Sequence, residues 1–235
     1  MFAALTLLVV YVVLGIPVAI VGIPWALATG DVSVVYRGAL AVVRIGLRVV
    51  GVRVIAERRA PLDPQKTYLF FSNHLSNLDP PVLLPLLPGR TSVFIKRSLL
   101  KVPVLGYGMK LASFIPVDRD GSVEGAKQSV EAAVNTLAAG VNVTSFVEGT
   151  RSSDGKLLPF KKGPFYLAME SGAAVVPITI AGTDKLMPKG SLKVRSGTAR
   201  VIFHDPIEPK NYASREDLMA AVRAAIESGS DATSE

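Results

Sequence analysis

"TYLFFSNHLSNLDPP", residues 67–81, changes character twice in fifteen residues, from an apolar run through a polar turn into a double proline. Residues 67–72 are aromatic and aliphatic without alternation, the pattern of a strand buried on both faces. "NHLSN" is turn-prone. Asp79 before Pro80 reads as a helix boundary, because the residue before a proline is pushed out of helical geometry while a first helical turn tolerates the missing N–H. The stretch is therefore a strand-turn-helix junction, the building step of an α/β sheet.

The junction also holds His74, one of two histidines in the chain. On a continuous helix His74 and Asp79 would lie about 140° apart around the axis and could not readily touch. Across a turn they can. Asp79, placed as N-cap or N-terminal anchor, can accept a hydrogen bond from His74 Nδ1–H and leave Nε2 free to take a proton. A capped helix beside a satisfied turn histidine fits the same residues, and this stretch alone leaves both readings open.

Further strands are expected at 51–56, 91–95, 113–117, 142–147, 174–180 and 199–203, beside that at 67–72. Residues 122–139 read as an amphipathic helix with Val123, Val130, Val134 and Leu137 on one side. A helix over 215–227 opens on a capping-box-like "SRED" at Ser214. Apolar strands alternating with helices imply an α/β fold with a mixed, largely parallel sheet flanked by helices. The expected organisation is an N-terminal helical membrane-associating segment, 1–50, a body over 51–227 and a disordered tail over 228–235.

Residues 1–30 contain no Asp, Glu, Lys, Arg or His. As one helix they would reach about 45 Å, enough to cross a bilayer. Gly15, Pro17, Gly22 and Pro24 interrupt the run, so a kinked span and a re-entrant or interfacial hairpin are both allowed. In the next segment Arg37, Arg44 and Arg48 fall within about 40° on a helical wheel, a basic stripe suited to the headgroup layer. Six Lys/Arg against two acids between residues 31 and 59 argue for a body on the cytoplasmic face of the cell's inner membrane.

The chain is both apolar and basic, with 49% hydrophobic residues, a net charge of +7 and a mean hydropathy of +0.40. That combination suits an anionic lipid surface; no nucleic-acid-binding fingerprint accompanies the charge. The absence of cysteine excludes disulfides, thiolate metal sites and an acyl-cysteine intermediate. Two histidines without cysteine leave little for a transition-metal site. "GTRSSDGK" has five residues between Gly149 and Gly155 where a P-loop has four, and Leu157 stands where magnesium needs Ser/Thr, so nucleotide triphosphate binding is not expected. His204 and Asp205 are neighbours at a strand end and make a poor dyad.

"NHLSNLD" matches the N-H-x-x-x-x-D block of the lysophosphatidate (1-acylglycerol-3-phosphate) acyltransferases, within the glycerolipid acyltransferases. Three blocks follow in order: "SFIPVDR" (113–119) resembles the second, "FVEGTRS" (146–152) the F-P-E-G-T-R-S block, and "VVPITI" (175–180) the fourth. Val147 departs from the usual proline of the third block and Ser113 from the frequent glycine of the second.

The resemblance implies a fatty acyl transfer from acyl-CoA or acyl carrier protein to the sn-2 hydroxyl of lysophosphatidate, giving phosphatidate. It implies His74 as base and Asp79 as its orienter, with Lys96, Arg119, Glu148, Gly149, Thr150 and Arg151 around the acceptor. Lys96 and Arg151 would meet the phosphate, Arg119 would support them, and Glu148 would hold a glycerol hydroxyl or an arginine. No cofactor or metal is implied beyond the thioester co-substrate. The same O-acylation of glycerol-3-phosphate, another lysophospholipid or a lyso-amino lipid is the near alternative. A non-catalytic, membrane-tethered lipid-binding protein is the remote one.

Overall fold

The computed structural model describes residues 2–117, 123–152 and 155–231, apart from the side chains of Phe2, Ala4, Val123 and Asp231. Among the described residues seven strands form one sheet: β1 (Val52–Arg58), β2 (Leu69–Ser72), β3 (Thr91–Lys96), β4 (Ile115–Val117), β5 (Asn142–Phe146), β6 (Val175–Ala181) and β7 (Gly197–Phe203). Their order is β1-β7-β6-β2-β5-β3-β4, and every neighbouring pair is parallel except β6 with β7. All seven expected strands are present.

The central strand β2 is fully buried and feeds both faces of the sheet. Phe70 points into a core built with Val176, Ile178, Val201 and Phe203, whereas Leu69 and Phe71 point into the opposite one. The first core is closed by Leu47 of α2 (Ser33–Val49) and by Val82 and Leu83 of α3 (Asp79–Leu83). The second takes Ala133 and Leu137 from α5 (Val123–Ala138), Phe165 and Leu167 from α6 (Lys162–Ser171), and Leu218, Val222 and Ile226 from α8 (Arg215–Asp231). Along the chain α4 (Leu105–Leu111) lies between β3 and β4, and α7 (Thr183–Leu186), whose Leu186 joins the first core, between β6 and β7.

Ser214 caps α8 as its sequence suggests: its Oγ accepts from Asp217 N at 3.1 Å and donates to Asp217 Oδ2 at 2.7 Å. The helix runs to Asp231, beyond the expected end at 227, so the first residues assigned to a tail are helical. Gly229 there packs its backbone against Thr179 and His204, which holds the last turn on the sheet. Residues 232–235 lie outside the description.

The N-terminal run is α1 (Phe2–Thr29), a single helix continuing through Pro17 and Pro24. The chain reverses after the apolar run, not within it, and Asp31 Oδ1 accepts from Ser33 N at 2.8 Å to start α2. The two helices pack antiparallel because three glycines let them approach: Gly22 meets Val35, Gly38 meets Val18 and Gly46 meets Tyr11. Tyr36 docks α2 on the body, its hydroxyl accepting from Thr91 N at 3.1 Å and donating to Thr91 O at 3.3 Å. Arg37, Arg44 and Arg48 are exposed as the stripe requires, and Arg44 also donates to Pro85 O at 2.5 Å.

Candidate active site

β2 and β5 are neighbours, yet the helices that follow them, α3 and α6, cover opposite faces of the sheet. Such a divergence opens a crevice beyond the carboxyl ends of the two strands, where α/β sheets bind ligands. Ser72 ends β2 level with Phe146 at the end of β5. His74 and Glu148 each lie two residues past those ends, on the two lips of the crevice. Lys96 ends β3, which pairs with β5 through Val93 and Thr144, so it sits at the same edge of the sheet.

His74 Nδ1 lies 2.7 Å from Asp79 Oδ2. The same oxygen accepts from Leu75 N at 2.6 Å and Ser76 N at 2.8 Å, and Thr183 Oγ1 donates to Oδ1 at 2.5 Å. Four donors converge on a wholly buried carboxylate. An acceptor at Nδ1 makes that nitrogen the one carrying hydrogen, which leaves Nε2 of the neutral ring with its lone pair. The imidazole face stacks on Phe146, with ring centroids 4.2 Å apart. Packing and Asp79 together hold the ring, whose side chain keeps 18% exposure.

Asp79 differs in one respect from its expected place. Leu78 is the N-cap of α3 and Asp79 the first helical residue, so Pro80 does not keep it out of the helix. The carboxylate reaches back over the turn and caps the amides of Leu75 and Ser76 instead. Pro80 and Pro81, which bring no N–H, cost nothing in a first turn whose N–H groups have no helical acceptor.

The two lips are stitched together by backbone groups of His74. Its N–H donates to Glu148 Oε1 at 2.7 Å, and its carbonyl accepts from Ser152 N at 2.8 Å. Glu148 Oε2 accepts from Leu158 N at 2.7 Å. The glutamate is buried, and burial pushes its carboxyl above the usual range although both amides pull it down. Each Glu148 oxygen thus accepts from one main-chain amide, so the carboxylate braces the His74 backbone, a role the sequence reading did not assign to it. Gly149 turns the chain just beyond, at φ +67°, where a Cβ would also stand 3.0 Å from Lys161 Cγ.

Thr150 and Lys96 are exposed, and Arg151 is half-buried with its carbonyl accepting from Lys189 Nζ at 2.9 Å. Arg119 lies outside the described residues. Both sequence departures have visible consequences. Val147 N donates to Ser72 O at 3.0 Å, a bond no proline can make, and Ser113 adopts φ +60°, the region that favours glycine.

Sequence reasoning missed Thr183, 104 residues from Asp79, because nothing local marks it. It missed Asn73 as well. That side chain donates to Ile180 O at 2.8 Å and accepts from Ile180 N at 2.7 Å, extending the β2–β6 ladder past the strand end. Ser76 is structural, its Oγ donating to Met187 O at 2.7 Å. His204 is structural too and far from Asp205 in role: it is buried against Thr179, while Asp205 is exposed.

A model of the family described as Acyltransferase matches residues 50–181. The chain is 41% identical over 156 residues to the chloroplastic 1-acyl-sn-glycerol-3-phosphate acyltransferase BAT2 of Brassica napus, covering 64% of this chain and 42% of that protein. It is 33% identical over 170 residues to 1-acyl-sn-glycerol-3-phosphate acyltransferase alpha of Homo sapiens, covering 72% of this chain and 60% of that one. The match therefore spans about half the length of these relatives. Among solved structures, the 1-acyl-sn-glycerophosphate (LPA) acyltransferase PlsC from Thermotoga maritima shares the fold, with a TM-score of 0.80 over 98% of this chain and 95% of that chain at 24% identity.

Proposed function

The chain belongs to the acyltransferase family, and from that premise we propose that it esterifies the sn-2 hydroxyl of lysophosphatidate with a fatty acyl group, forming phosphatidate for phospholipid synthesis. The observation that carries the reading is the His74–Asp79 pair, locked by the convergent donors on Asp79 and stitched through Glu148 to the E-G-T-R turn.

In the proposed reaction His74 Nε2 takes the proton of the acceptor hydroxyl as that oxygen attacks the thioester carbonyl carbon. The tetrahedral intermediate then expels the thiolate, the C–S bond breaks, and the imidazolium returns the proton to sulfur. Asp79 holds the tautomer and stabilises the imidazolium. No acyl-enzyme, cofactor or metal is required.

Lys96 and Arg151 serve as phosphate ligands, with Arg119 in support and Gly149 and Thr150 shaping the turn against the acceptor. Glu148 acts one step removed, by fixing the His74 backbone. The donor is acyl-CoA or acyl-ACP. The apolar helix α1, whose outer face is exposed along its length, holds the body at the cytoplasmic face of the inner membrane, where the first acyl chain of the acceptor resides.

The test is thioester consumption by purified protein with lysophosphatidate, glycerol-3-phosphate and a phosphate-free acylglycerol as acceptors, and with CoA and carrier-protein thioesters as donors. Turnover is expected with lysophosphatidate and is lost in His74→Ala. Full activity in that variant would sink the mechanism, and indifference to the phosphate would remove the roles of Lys96 and Arg151.

A further inference from the structure

Between β3 and β4 the chain crosses residues 97–114 as a short 3-10 turn (Arg97–Lys101), a tight reversal and α4. The reversal exposes side chains that a water-facing loop would hide. Val104 is 57% and Leu105 52% exposed, and Leu99, Val102 and Tyr107 are exposed beside them. The segment 96–111 carries Lys96, Arg97, Lys101 and Lys110 and no acidic residue.

The tip is also strained. Leu105 N donates to Pro103 O at 2.6 Å, closing a γ-turn that puts Val104 at φ +63°, ψ −57°. For a β-branched residue that conformation is costly and persists only where the surroundings impose it. Here they do. Gly106 has no room for a side chain against the backbone of Leu100, and its N–H donates to Val102 O at 2.7 Å. Val104, on that turn, is the most exposed of the large apolar side chains of the loop.

We propose that the 97–107 tip is a second membrane-docking element, which inserts Val102, Val104 and Leu105 into an anionic bilayer surface while Lys101 and Lys110 meet the headgroups. This rests on the membrane reading of α1 and extends it. α4 packs against α1, so the apolar tip lies on an element adjoining that exposed apolar helix. An exposed apolar cluster ringed by cations and free of acids complements anionic lipid. A second copy of the chain would bring the same charge and be repelled. The consequence is orientational: two contacts fix the tilt of the body, and Lys96 at the base of the loop is carried to headgroup depth.

The chain has no cysteine, so one introduced thiol is an unambiguous reporter. Full-length Val104→Cys and, separately, Val13→Cys would be labelled with an environment-sensitive fluorophore. Each would be mixed with phosphatidylcholine vesicles containing about one third phosphatidylglycerol, with and without nitroxide-bearing lipids. Blue-shifted emission and nitroxide quenching are expected at both positions. Lipid contact at residue 13 with a water-exposed label at 104 overturns the proposal and spares the role of α1; water exposure at both overturns both. A label at 104 that responds to an acidic carrier protein and ignores vesicles assigns the surface to a protein partner and overturns the proposal. In the assay, paired Val104→Asp and Leu105→Asp substitutions are expected to raise KM for vesicle-borne acceptor about tenfold, leaving kcat unchanged; an unchanged KM counts against the proposal.

Discussion

Asp79 shows how much a single carboxylate can be asked to do. Besides orienting His74 it satisfies two main-chain amides and a threonine hydroxyl while being itself wholly buried. Asp79→Asn keeps the size but replaces an acceptor oxygen with a donor, which must face either those N–H groups or Thr183. A loss in kcat of at least about a hundredfold is expected, together with a lower melting temperature. Thr183→Val removes one donor and leaves the other three, so it should cost about 1 kcal/mol of stability and reduce kcat less than Asp79→Asn. Equal losses in the two variants would show that Thr183 does more than hold the carboxylate. His74, Asp79 and their relation were legible in the sequence because they lie in one turn. Thr183 was not, since its partnership exists only once β6 lies beside β2.

At the scale of elements, the seven strands and the helices α5 and α8 followed from hydrophobic period and caps, with ends displaced by a few residues. The displacements have causes. α8 runs to Asp231 because Gly229 fits the sheet surface, a tertiary contact that composition does not report. α1 stays whole through two prolines because the lost backbone bonds are local and the helix packs against α2 at Gly38 and Gly46. Val147 illustrates the reverse case, in which an unusual residue gains a bond. Val147→Pro would restore the common family pattern yet remove the bond from Val147 N to Ser72 O. A loss of about 1 kcal/mol in chemical denaturation is expected, with kcat falling because the two lips of the crevice are less firmly joined. An unchanged midpoint would mean that the turn relaxes to compensate.

For the molecule as a whole, His204 ties the last helix to the sheet. Thr179 Oγ1 has a single hydrogen and donates it to Ile226 O at 2.7 Å, so it accepts from His204 Nε2–H at 2.8 Å. Burial, and then the nearby Arg59 charge, lower the His204 pKa from 6.5 to about 4. The unfolded chain therefore takes up a proton as pH falls through 6.5, while the folded chain does not until about 4. Stability is full above the upper value and declines across that window, by roughly 3 kcal/mol in total. Denaturation at a series of pH values should show this slope and His204→Gln should remove it; a slope that survives would place the titration elsewhere. By itself the sequence determined the α/β class, the apolar N-terminal helix and the linear blocks that carry His74, Asp79 and the E-G-T-R turn, because periodicity, turn chemistry and motif spacing are local properties of the chain. Only the tertiary structure decided that Glu148 braces the His74 backbone, that Thr183 completes Asp79, and that His204 is a structural bolt. Those outcomes depend on which strands become neighbours, and adjacency in a sheet is settled by the joint packing of two cores and not by any segment alone.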